Sequence, residues 1–165
     1  MNAPVTNTSN TFAFFEIESL AVRLAPPHYA TPDAPNGREA LHAWAATHVP
    51  GVDPMPVYDG GCDLTIYSTR AGNYAFRAWH DLAHLSLGAG FDADGELQVA
   101  VYHVEVARAH GLSELACRAL WADTWGQFRY GQVHGLDVFV NDQRRFVVDC
   151  LVHGIETIVN LGYRY

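Results

Sequence analysis

The chain has 165 residues, about half of them apolar and 17% charged, which is enough for one folded unit with a real core and short for two. Its net charge of -8 comes with ten basic residues that are all Arg, of which only Arg144 and Arg145 adjoin. Nucleic-acid binding through released counterions is therefore not expected, and lysine Schiff-base chemistry is excluded. Cys62, Cys117 and Cys150 form no CxxC pair, which argues against a disulfide framework or a zinc finger and fits a reducing cytoplasm. No leader-like segment and no run of about 20 apolar residues is present, so a cytoplasmic protein outside the membrane is expected.

In chain order, residues 1–11 are polar and expected to be disordered. "FAFFEIESLAVRLA" (12–25) mixes aromatic and β-branched residues and favours a strand over a short helix. "PPHYATPDAPNG" is a loop by its prolines and Asn-Gly, and "REALHAWAATHV" after it has helical spacing. "PGVDPMPVYDGG" is a second loop and "CDLTIYST" a short strand. From there the pattern is helical: about Asn73 to Leu87, stopped by Gly88 and Gly90; about Gly95 to Ala109, stopped by Gly111; from Ser113 to near Gly131; and Asp142 to Leu161 with Asn141 or Asp142 as N-cap. The fold class expected is mainly α, one domain over 1–165 built as a bundle of four to five helices with a small β or irregular N-terminal part.

The stretch "FRAWHDLAHLSLGAGFDADGE" (76–96) carries the chemistry. On a helix His80 and His84 project within about 40° of each other and can share an ion, with Asp81 about 100° round from His80. The next helix offers Glu96 and His103 seven residues apart on one face, which Ala100 and Ala107 also line, and small residues there let two helices approach. Together these predict a metal site between the two helices, with candidate ligands His80, Asp81, His84, Glu96 and His103. His110 prolongs the stripe but suits a helix C-cap better. His28, His42, His48, His134 and His153 fall in no usable spacing.

Competing readings of the same letters are weaker. His-Asp-Leu-Ala-His lies one methylene from HExxH, and Glu105 follows His84 by 21 residues, where a third ligand of a zincin-like peptidase would be sought. Asp is short for the general-base role of that Glu, however, and Glu105 points about 200° away from His103. A di-iron bundle would need a second acid-x-x-His motif, and "HGIE" at 153–156 has the order reversed. "DADGE" at 92–96 lacks the later ligands of a calcium loop and reads as a turn opening a helix. Trp79, Trp121 and Trp125 read as core residues, and Cys150 as buried and inert.

Two resemblances bear on the stretch. The adjacent His80-Asp81 pair resembles the HD motif of metal-dependent phosphohydrolases, which are α-helical; that resemblance implies an earlier His (His42 or His48) and a later Asp (Asp123, Asp137 or Asp149) completing the site. "FRAWHDLAH", "GFDADGE", Ala100, His103 and the "GQ" at 126–127 together resemble a set of phage and prophage proteins of unsettled activity. Position by position this picks out Phe76, Arg77, His80, Asp81, His84, Glu96, His103 and Gln127, although in those proteins the second His often stands five residues after the first rather than four.

The expectation is thus a metal-dependent hydrolase, acting on a small molecule or phosphoester, with a divalent zinc, iron or manganese ion. Asp81 or Glu96, whichever does not bind metal, would take the proton of the attacking water, and Arg77 would pair with Asp81 or with an anionic substrate group. The alternative is a non-enzymatic phage-type binding or inhibitor protein that meets a host protein through its acidic surface.

Overall fold

A computed structural model describes residues 7–135 and 140–161, with side chains from residue 8 onward. The fold is mainly α. Helix α1 (Asn7–Leu24) buries Ala13, Phe14, Ile17, Leu20 and Ala21, a spacing of three and four that only a helix brings to one side. The strand expected over 12–25 is therefore corrected, because the exposed Phe12 and Phe15 add aromatic character without belonging to the core. Asn7 to Thr11, expected to be disordered, open this helix, and residues 1–6 lie outside the described residues.

Two short strands, β1 (His28–Thr31) and β2 (Met55–Tyr58), pair in parallel with His28 opposite Met55 and Thr31 opposite Tyr58. Helix α2 (Arg38–Ala45) lies between them in the chain. Both strands fall within segments expected to be loops. "CDLTIYST", the expected strand, is irregular and ends in Thr69, whose hydroxyl accepts from Gly72 N and caps α3 (Arg70–Leu87). Met55 and Val57 of β2 are buried and the strand packs on α3, so the sheet covers one side of the helix that carries the histidines.

Gly88, left-handed at φ 62°, ends α3, and Asp92 caps α4 (Ala93–Ala109) by accepting from Gly95 N. "DADGE" is thus a helix entry. Gly95 is also sterically required, since a Cβ there would overlap the backbone of Gly90. His110 is the C-cap of α4, as its position suggests.

Ser113 caps α5 (Glu114–Trp121), which continues through a π-helical turn, Ala122–Gly126, into α6 (Gln127–His134). Asp142 caps α7 (Gln143–His153), and Gly154, at φ 84°, separates it from α8 (Ile155–Asn160). The helix expected from Ser113 to near Gly131 thus runs through with one π turn, whereas the one expected over 142–161 is broken at Gly154.

The main core joins Phe14, Ile17 and Leu20 of α1 to Phe76 and Trp79 of α3, Leu120 of α5 and Phe146 of α7. Trp79 is buried as expected, whereas Trp121, packed at the core's edge, and Trp125 are half-buried. Cys150 is buried and its thiol is pushed up to about 12 by burial and the neighbouring Asp149, which keeps it protonated and unreactive.

Candidate metal centre

Helices α3 and α4 pack on each other and bring three of the five proposed ligands together. His80 and His84, one turn apart on α3, place their Nε2 atoms 3.1 Å from each other. Glu96, in the first turn of α4, sets Oε1 3.6 Å from His84 Nε2 and Oε2 3.9 Å from His80 Nε2. Ala83 of α3 and Val99 of α4 belong to one buried cluster where the helices approach, and Ala100 beside Val99 is fully buried.

The other two candidates stand elsewhere. His103 is fully buried, its Nε2 3.2 Å from His80 Nδ1, the ring nitrogen other than the one that meets His84 and Glu96. Its ring packs edge-on against Trp79 at 4.2 Å and against Phe76 at 5.5 Å. Asp81 lies outside the three-donor cluster and lines the adjoining cleft.

Electrostatics follow from burial. Removal from water pushes His80 well below the ordinary imidazole range, with His103 and His84 adding like-charge repulsion. Burial lowers His84 against the opposing carbonyls of Ala89 and Gly90, and lowers His103 to about 3. The rings are therefore neutral and able to offer lone pairs. Burial raises Glu96 to about 7, helped by Asp81 and Asp92, and raises Asp81 to about 7 against the pull of Arg77. His84 Nδ1 lies 3.3 Å from the carbonyl of Ala89, which only accepts, so this nitrogen carries the proton and Nε2 is bare. Phe91 stacks on His84 at 4.1 Å and 12° and shields that side from water.

The cluster opens into a cleft of about 460 Å³ lined by His80, Asp81, Glu96, Arg77, Asp123 and Gln127, with Phe91, Phe128 and Tyr58 as aromatic walls. Arg77 donates to the backbone carbonyls of Tyr58 and Gly61, which hold its guanidinium without neutralising it. Asp123 accepts from Tyr67 Oη at 3.1 Å and from Gln127 Nε2 at 2.8 Å; burial still raises it to about 6. Asp123, Thr124, Gln127 and Phe128 reach the cleft from the π-helical turn and the start of α6. Such turns are frequent at functional sites, but nothing in the local sequence announced this one.

Of the partners that the HD resemblance implies, Asp123 lines the cleft. His42 and His48 are exposed, His48 stacks on Trp44, Asp149 pairs with Arg145 on α7, and Asp137 lies outside the described residues. Glu105 is exposed and lines a different cleft of about 690 Å³, which contains no histidine, so the third zincin ligand is not brought to His80 and His84. Within "HGIE", His153 is exposed and Glu156 pairs with Arg129 at 3.4 Å. Among the described residues no helix is long and apolar enough to cross a membrane. Comparison of the chain with protein-family models, with curated proteins and with solved structures gives no match.

Proposed function

We propose that the protein is a metal-dependent hydrolase whose ion is held by His80, His84 and Glu96. The observation that carries this reading is the donor spacing. Metal–ligand bonds of about 2.1 Å in a tetrahedral arrangement require donors about 3.4 Å apart. The separations of 3.1, 3.6 and 3.9 Å bracket that value, and the tautomer of His84 leaves its Nε2 free to bind. Three protein donors also leave room for a water, the arrangement of catalytic rather than structural sites. The mixed nitrogen and oxygen set suits zinc, iron or manganese.

When bound, such an ion would supply a Lewis acid and a water acidic enough to ionise near neutrality. The chain's own residues then divide the work. Asp81, free of the donor cluster and raised by burial to about 7, is suited to accept a proton from a water near pH 7. Arg77 presents positive charge to the cleft because its hydrogen bonds go to uncharged carbonyls, and it would face an anionic group of a phosphoester substrate. Phe91 and Phe128 limit the water that reaches the reacting atoms.

The test compares wild type with Asp81→Asn, measuring metal content after gel filtration and hydrolysis of a generic phosphodiester. Full metal content with at least about a hundredfold loss of rate is expected for a general base. Loss of metal in Asp81→Asn would instead make Asp81 a ligand. Less than about a tenth of an equivalent in wild type after incubation with zinc, iron or manganese would remove the metal reading.

A second reading, contact with a partner protein, is favoured by Phe12 and Phe15, which are 63% and 61% exposed and line a shallow depression on α1. Metal content separates the two readings.

A further inference from the structure

A chain of hydrogen bonds runs through the candidate centre and fixes where each ring proton sits. Near pH 8, above the ordinary imidazole pKa of about 6.5, each of the three rings carries one proton. The Ala89 carbonyl takes that of His84 on Nδ1, so His84 Nε2 is bare. His80 Nε2, 3.1 Å from it, must then be the donor, which leaves His80 Nδ1 bare. His103 Nε2, 3.2 Å from that atom, must in turn donate, so His103 Nδ1 is bare. That last nitrogen is buried and has no hydrogen-bond partner among the described residues. An unfilled acceptor is the tolerable way to end such a chain, since buried orphan N–H groups are the rarer defect.

This inference rests on the metal site proposed above. An ion at His80, His84 and Glu96 takes the lone pair of His80 Nε2, so the proton on that nitrogen has to leave. We infer that His103 is a positioning residue whose tautomer inverts when metal binds: the proton shared between the rings passes from His103 Nε2 to His80 Nδ1. The count balances. His80 Nε2 gives one proton to water, His103 Nδ1 takes one up, and three rings hold three protons before and after. His80 Nδ1–H then donates to His103 Nε2 and is held in the orientation that aims Nε2 at the ion. The end of the chain changes from an unfilled acceptor to an unfilled donor at His103 Nδ1, which opposes metal binding. Metal affinity is therefore set partly by a residue that never touches the ion.

The experiment is nitrogen NMR of histidine-labelled protein near pH 8, metal-free and with one equivalent of zinc, with zinc binding measured separately by calorimetry. The expected result is His84 protonated on Nδ1 in both states, and His80 and His103 changing from Nε2–H to Nδ1–H on zinc addition. Zinc bound with His103 still protonated on Nε2, or with a coordinated-nitrogen shift on His103, would overturn the inference and leave the metal site standing. Metal-free protein with His84 protonated on Nε2 would overturn the proton chain whether or not zinc binds. Absence of zinc binding in the calorimeter would overturn the site and the exchange with it.

Two variants extend the test. In His103→Gln the amide oxygen can accept from His80 Nδ1–H while its NH2 group can serve the metal-free form, so zinc affinity should stay within about threefold of wild type or tighten. His103→Leu offers no acceptor and should weaken zinc by about 10–100-fold. Equal affinity in His103→Leu and wild type would overturn the positioning role; the wild-type spectra decide the matter if the Leu variant does not fold.

Discussion

Replacing Glu18 by Gln should lower stability by about 3 kcal/mol, because one carboxylate on α1 holds the start of the helix that carries both histidines of the centre. Glu18 is 8% exposed, and its two oxygens accept from Ser68 N at 2.8 Å, Ser68 Oγ at 2.5 Å, Thr69 N at 3.2 Å and Thr69 Oγ1 at 2.6 Å. In the Gln variant one oxygen becomes an NH2 group, so either the Ser68 or the Thr69 donors lose their acceptor. A hydrogen bond to a charged partner contributes about 1.5–3 kcal/mol, and the backbone N–H left facing an NH2 group adds a desolvation cost. For a chain of this size about 3 kcal/mol corresponds to a melting temperature lower by about 6–12 °C.

The pH dependence has a definite sign. Burial raises the pKa of Glu18, but the bonds from Ser68 and Thr69 outweigh it and the net shift is below the ordinary 4.5. Its ionisation therefore contributes stability that is complete above about 4.5 and is lost as pH falls through the folded value. The gap between wild type and Glu18→Gln should be wide at pH 7 and narrow in acid. Gly72→Ala probes the same contact from the other side, since a Cβ at 72 would overlap the Glu18 carboxylate. Its cost and that of Glu18→Gln should be less than additive. Melting curves of the two single variants, the double variant and the wild type between pH 3 and 8 provide the assay. A gap under about 1 °C at pH 7, or one that stays undiminished in acid, would refute the reasoning.

Burial raises Glu96 and Asp81 to about 7, so in metal-free protein each contributes stability that is complete in acid and is lost as pH rises from about 4 to about 7, while the buried histidines, lowered by burial, act in the opposite sense. The stability of Glu96→Gln relative to wild type, followed by calorimetry in chelator-treated samples, should therefore rise with pH between about 4 and 7, and a difference that does not change with pH would count against it. Zinc about a hundredfold above its Kd should stabilise wild type by about 2.7 kcal/mol and His84→Ala far less, and equal thermal shifts would exclude His84 as a ligand. Gly95→Ala should cost at least about 2 kcal/mol and weaken zinc binding, because its Cβ would push on the Gly90 backbone beside the Ala89 carbonyl; a neutral effect on both readouts would contradict the packing described. Cys150 should resist alkylation near pH 8 while the half-buried Cys62 reacts, and equal labelling by mass spectrometry would show that the core around Cys150 opens readily.

The parts of the fold that were legible in the sequence are those where periodicity and stop signals coincide. Helices α3 and α4 have apolar spacing, Asp92 to open one and Gly88 and Gly111 to close them, and their capping geometry follows those residues. The pairing of His80 with His84 followed from helical geometry, and the arrival of Glu96 from the small residues that let α4 approach α3. The place of His103 did not: sequence spacing puts it on the right face, but only packing decides which nitrogen of His80 it meets. Helix α1 was obscured because Phe12 and Phe15 face outward, so the apolar pattern read as continuous rather than periodic. The strands were hidden because four residues beside prolines are too few to show alternation, and their pairing joins His28 to Met55 across 27 residues of chain. Asp123 stood in the sequence as one of three equivalent acids until the π-helical turn between α5 and α6 set it in the cleft.

The π-helical turn at Ala122–Gly126 makes the number of residues, as well as their identity, part of the site. A π turn accommodates about one residue more than an α turn, and each residue of an α-helix rotates the next side chain by about 100°. Wound as regular α-helix, the same residues would carry α6 further round the helix axis and swing Gln127 and Phe128 off the cleft wall, with every side chain of the segment chemically intact. A chain that kept all the cleft-lining side chains but lost that wide turn would therefore preserve the candidate ligands on α3 and α4 and lose the wall that faces them across the cleft.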